Sequence, residues 1–126
     1  MTNTTLAALL SRFFTDRLCT QMDASPHTIA GYRDTFRLLL RFASEQTGRA
    51  PAKLTIEELD SELVGDFLAY IESERGNSAR SRNTRLAAIR SFFRFVAMNE
   101  PPYMLHCQRI LASGHPRSLI FAAAIL

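Results

Sequence analysis

The sequence predicts an all-α protein, a compact orthogonal bundle of four to five helices. Apolar residues recur at three- and four-residue spacing in four separate stretches, and no stretch alternates with the period of two that marks a half-buried strand. Cap and breaker residues separate the four stretches. Each amphipathic stripe needs the others for cover, so the helices must pack against one another. With 126 residues, 47% hydrophobic and 21% charged, the chain can bury a core and is too apolar for a disordered one. Residues 1–112 are assigned to the helical domain and residues 113–126 to a divergent apolar tail.

The first helix spans about Thr5 to Met22, with Leu6, Leu9, Leu10, Phe13, Arg17 and Leu18 on or beside one stripe. The second opens at SPHT, where Ser25 is a natural N-cap and Pro26 takes the first helical position, at which its missing N–H costs nothing. Its stripe is Ile29, Tyr32, Phe36, Leu39, Leu40 and Ala43, and Gly48 stops it. RAPAKL (49–54) reads as a loop. Thr55 to Glu58 has the spacing of a capping box and starts a short helical turn. The third helix follows Asp60, buries Leu63, Val64, Phe67, Leu68 and Ile71, and ends by Gly76. The fourth runs from about Ser81, or Ser78, to Met98 and stops before Pro101-Pro102.

Charge is distributed unevenly along these helices. The net charge is only +3, yet six arginines and no acidic residue lie between Arg75 and Arg94, just after Glu57, Glu58, Asp60, Glu62, Asp66, Glu72 and Glu74. A one-signed block of this kind points to a polyanionic partner. On a helical wheel, Leu86, Ile89, Phe93 and Val96 centre the apolar face of the fourth helix, widened by Ala88, Phe92 and Phe95. Asn83, Ala87, Arg90, Ser91 and Arg94 lie opposite. Arg82 and Arg85 project on the core side, but in the first turn, where the core is expected to have ended, so that both reach outward. Arginines, an asparagine, the hydroxyls of Ser81 and Thr84 and the N–H groups of a helix start suit phosphate and base-edge contacts in a major groove. The competing reading is a solvated arginine face; the missing acidic partners at i,i+4 argue against it. SPHT offers Ser25, His27 and Thr28 at a second helix start, followed by Arg33, Arg37 and Arg41, although such a start taken alone is more often only a cap.

SPHTIAGYRDTFRLLLRFA and LTIEELDSELVGDFLAYIESERGNSARSRNTRLAAIRSFFRFVA together resemble the N-terminal core-binding domain of tyrosine recombinases, the phage-integrase family. The S-x-x-T-x-x-x-Y opening stands at Ser25, Thr28 and Tyr32, and the helix-four pattern runs from Thr84 to Phe95; the likeness covers about residues 4–112. The resemblance implies a SAM-like helical domain forming half of a clamp on double-stranded DNA, with its second and fourth helices toward the major groove. By position it implies DNA contacts from Ser25, His27, Thr28 and Arg33 and from Arg80, Arg82, Asn83, Arg85 and Arg90. The family's catalytic half brings two arginines, a lysine, a His-x-x-Arg and a tyrosine nucleophile. His115 and Arg117 do not reproduce that spacing, and Tyr32, Tyr70 and Tyr103 all lie within or beside the helical domain. The expectation is therefore a non-enzymatic DNA-binding half, the product of a truncated or frameshifted mobile-element gene. The alternative is a protein-interaction or dominant-negative module acting on a full-length recombinase.

No metal or other cofactor is expected. His27, His106 and His115 share no ligand spacing, and the acidic cluster before the third helix reads as a solvated helix start. Cys19 and Cys107 form no CxxC, which suggests reduced thiols in the cytoplasm, with Cys19 packing near the first apolar stripe. The N-terminus lacks the pattern of a signal peptide. The apolar run LIFAAAIL (119–126) is far short of the roughly 20 residues a membrane span needs. A monomer is expected in the absence of DNA.

Overall fold

The structure, a computed structural model, describes residues 5–74 and 79–112, without the side chains of residues 74–80. The expected tail at 113–126, the stop at Gly76, and Arg75, His115 and Arg117 lie outside the described residues. Five α-helices follow one another: α1 (Leu6–Arg12), which runs on as a π-helical segment (Phe13–Gln21), α2 (Pro26–Thr47), α3 (Ser61–Glu74), α4 (Ala79–Asn99) and α5 (Met104–Ala112). The 3-10 turns Pro51–Lys53, Ile56–Glu58 and Pro101–Tyr103 lie between them, and there is no strand among the described residues. The chain forms two compact units, Met1–Glu58 and Leu59–Leu126.

In the first unit, Thr5 caps α1 by accepting a hydrogen bond from the Ala8 N–H at 3.1 Å. The continuation departs from the expected α-helix. Its backbone bonds reach back five residues, as from the Met22 N–H to the Arg17 carbonyl at 2.8 Å. Five-residue bonding widens each turn and so brings Leu18 round toward the side of Phe13; both are buried, while Arg17 faces solvent. The same shift leaves Cys19 exposed, contrary to its expected packing role.

Phe13 is the hub of an aromatic cluster. It meets Phe36 edge-on at 6.0 Å and lies nearly parallel to Tyr32 at 6.3 Å. Tyr32 is thus a packing residue on the inner side of α2, where Thr35, Phe36, Leu39, Phe42 and Ala43 are buried. The expected caps of α2 are in place: the Ser25 hydroxyl accepts from the Thr28 N–H at 3.1 Å, and Gly48, at φ 75°, donates its N–H to the Ser44 carbonyl. The stretch read as a loop holds one 3-10 turn. Beyond it the Glu58 carboxylate accepts from the Thr55 N–H at 2.8 Å, which is one half of the expected capping box, and pairs with Arg49 at 2.7 Å.

The second unit opens with Asp60, whose carboxylate accepts from the Leu63 N–H at 2.8 Å. Helix α3 then buries Val64, Phe67, Leu68 and Ile71, with Leu63 only half-buried. Helix α4 buries Ala88, Ile89, Phe92, Phe93, Phe95 and Val96. Helix α5 packs along α4 through Cys107 and Ile110. It leaves Met104 and Leu105 exposed and follows the Pro101-Pro102 break at which the sequence reading ends its fourth and last located helix.

Gly48 can be tested directly. A Cβ there would meet nothing within 4 Å, so a substitution costs conformation alone. Gly48→Ala should lower stability by about 1–2 kcal/mol in urea unfolding, and Gly48→Asn by less. Burial pushes the Cys107 thiol from 9.0 up to about 11. Above the ordinary thiol value the unfolded chain then loses a proton that the folded chain keeps, so stability falls as pH rises from about 9 toward 11. Cys107→Ala should flatten that fall in the urea midpoint, and at mildly alkaline pH a thiol reagent should label Cys19 long before Cys107.

Candidate nucleic-acid interface

The α2 face in the first unit begins at the helix cap. The Ser25 and Thr28 hydroxyls hydrogen-bond each other at 3.1 Å, and Ser25 also holds the Thr28 N–H, so both are committed to shaping the helix start while still facing solvent. His27 is exposed beside them. Arg33 follows on the outer side, and Arg37 and Arg41 continue the row at four-residue intervals, all three exposed. The row covers about 12 Å of helix. Arg37 and Arg41 also line an open groove with Leu40, Ser44, Glu45 and Pro51. The burial of Phe36, Leu39 and Ala43 holds the opposite side of α2 inward and so points this row out.

The α4 face in the second unit divides its arginines by environment. The Arg80 backbone lies in the first turn, and its side chain is outside the described residues. Arg82 does not reach outward as expected: it is 3% exposed, and its Nε stands 3.2 Å from a carboxylate oxygen of Glu72 in the last turn of α3. The core has not ended at the start of α4, because α3 still covers it there. Arg85, one turn on and on the same side, is half-buried. The wheel gives the correct direction for both residues. It does not carry the length of the neighbouring helix, which decides whether that direction ends in solvent.

Asn83, Thr84, Ala87 and Arg94 are exposed on the other side of α4. Arg90 is half-buried, and its Nη1 donates to the Leu111 carbonyl of α5 at 2.9 Å. Arg94, Arg37 and Arg41 have the exposure that contact with a polyanion requires; the sequence places them on the wet faces, but they are not among the contacts the resemblance implies. Their signal is the four-residue spacing Arg90–Arg94 and Arg33–Arg37–Arg41. This arrangement offers separated guanidinium groups, an asparagine and hydroxyls on helices whose apolar sides are buried, a chemistry suited to binding anions and base edges. Among the described residues no group of three His, Cys, Asp or Glu side chains could hold a metal ion, and no helix is long and apolar enough to cross a membrane.

Comparison with known proteins agrees with the resemblance read from the motifs. Residues 12–100 match the family model described as phage integrase, N-terminal SAM-like domain. The sequence is 50% identical over 107 residues to the integrase/recombinase y4rC of Sinorhizobium fredii, covering 85% of this chain and 32% of that protein. It is 46% identical over 106 residues to y4rD of the same organism, covering 84% and 38%. To the tyrosine recombinase XerC of Pelobacter propionicus it is 35% identical over 85 residues, covering 68% and 26%. The matches thus span about a third of the length of these curated relatives. No solved structure matches.

Breaking the Arg82–Glu72 pair leaves a charge in a largely dry site, with Glu72 one-fifth exposed. Glu72→Ala or Arg82→Ala should each destabilise the fold by about 3 kcal/mol in urea unfolding. Replacing both residues by apolar ones of similar volume should recover much of that deficit. A cost near zero for either single variant would show that the pair does not hold α3 to α4.

Proposed function

The chain belongs to the phage-integrase family through its N-terminal SAM-like domain, and on that premise we propose that it binds double-stranded DNA at a recombination site. A recombination-related role follows from the family itself. The observation that supports DNA as the ligand is the separation of charge from apolar surface on two helices: Arg33, Arg37 and Arg41 lie outward on α2, and Asn83, Arg90 and Arg94 lie away from the buried side of α4.

In this reading the exposed arginines neutralise phosphates and release condensed counterions, which sets affinity and orientation without reading sequence. Asn83 is the best-placed base reader, being exposed near the start of α4 beside Thr84. Ser25 and Thr28 present the α2 cap, with His27 as an exposed neighbour. Arg80 stays in the proposal on its position in the first turn of α4, and Arg85 as a half-buried phosphate ligand. Arg82 acts indirectly, by tying the start of α4 to α3. In this reading the residues of this chain hold DNA, and Tyr32, which lies in the family motif, serves packing, its ring parallel to that of Phe13.

A second reading, a module that binds a full-length recombinase, draws on exposed apolar side chains of the second unit, where Met98 is 82% and Leu105 60% exposed. The two readings part in solution. Under the first, fluorescence anisotropy with duplexes selected from a randomised pool shows binding that weakens with salt. Arg33→Ala and Arg94→Ala then each make the log–log salt dependence shallower by about 0.9, the value for one phosphate no longer neutralised. Asn83→Ala relaxes the selected sequence preference by about 1–3 kcal/mol if it reads a base. Failure to enrich any duplex from the pool, alongside co-elution with a full-length recombinase in the absence of DNA, would put the second reading in place of the first.

A further inference from the structure

We propose that Arg90 couples the DNA-facing side of α4 to the end of α5, so that a phosphate bound at α4 tightens the last turn of the described fold; the coupling rests on the DNA-binding reading above. In the last described turn of α5 the Leu111 carbonyl is met by a guanidinium from another helix, 21 residues earlier in the chain, at 2.9 Å. Arg90 is therefore a charged tie from α4 to that turn.

The rest of α5 is held differently. Cys107 and Ile110 are buried, and the His106 ring Nε2 lies 3.1 Å from the Leu59 carbonyl. These contacts fasten the helix as far as Ile110, and Arg90 adds a charged hydrogen bond one residue further on. A guanidinium carries five N–H donors in a rigid fork, so a carbonyl on one Nη leaves donors for a second acceptor. Arg90 is half-buried, and Arg94 stands exposed one turn further along α4, so a phosphate can approach the same fork from the solvent side. A bound phosphate removes rotamer freedom that the Arg90–Leu111 bond would otherwise have to restrain, and the coupling is reciprocal: ordering the last described turn of α5 raises affinity for duplex. Lysine keeps the charge but lacks the fork that holds two acceptors in fixed geometry.

Hydrogen exchange of the intact chain, read by mass spectrometry on peptides covering 104–112, tests this with and without saturating duplex of the selected sequence. The wild type should show exchange at 108–112 slowed several-fold by duplex. Arg90→Lys should exchange there several-fold faster than wild type without DNA and should lose the duplex-dependent slowing. Arg94→Ala should bind more weakly yet keep the slowing at saturation. Wild-type exchange at 108–112 that ignores bound duplex overturns the coupling, and needs no variant. Unchanged exchange in DNA-free Arg90→Lys overturns the tie itself. Absence of any duplex binding by the wild type in anisotropy refutes the functional reading and the coupling with it, while the DNA-free comparison still decides whether Arg90 steadies α5.

Discussion

Burial of Ala88, Ile89, Phe92, Phe93, Phe95 and Val96 sets the rotation of α4 about its own axis, and the fate of every charge on that helix follows from it. Each phenylalanine removed from water contributes roughly 1.5–3 kcal/mol, so turning the helix to expose even one of the three would cost more than any surface contact could return. With the rotation settled, Asn83 and Arg94 must face out and Arg82 must face in. The close edge-on pairing of Phe92 and Phe93 at 5.3 Å adds a geometric preference to the apolar one.

The first unit reaches a similar result by a different device. Its first helix loosens from α into π geometry, which brings Phe13 and Leu18 onto one side and gathers Tyr32 and Phe36 around the Phe13 ring. That cluster orients α2, and the caps at Ser25 and Gly48 set where the helix begins and ends. The row from Arg33 to Arg41 is exposed because the other side of α2 is occupied. The motif tyrosine, Tyr32, owes its place to ring packing, which is a sufficient physical reason for an aromatic residue there.

Residues of one type thus do three kinds of work. Arg82 is dry and paired with Glu72, Arg90 is half-buried and bonded to a backbone carbonyl, and Arg33 and Arg94 are wet. A buried guanidinium needs its charge and its donors met inside the fold, because desolvation would otherwise outweigh its packing. An exposed one keeps its hydration until a ligand displaces it. Only the wet and the partly wet groups are available to an anionic ligand, which narrows a basic surface that charge along the chain makes look continuous.

Residue order was enough to establish the helical class, the caps at Ser25 and Gly48, the Glu58-to-Thr55 bond, and the apolar sides of the second, third and fourth helices. These are local properties: a cap depends on residues three positions away, and an amphipathic side depends on spacing within one helix. It took the packing of whole helices to settle that α3 extends far enough to enclose Arg82, that α5 exists as a separate helix, and that Arg90 ends on the Leu111 carbonyl. Packing also settled the slip from four- to five-residue bonding that exposes Arg17 and Cys19. Each of these depends on what a neighbouring element places next to a side chain or along a backbone, and periodicity within one helix carries no record of where its neighbours stop.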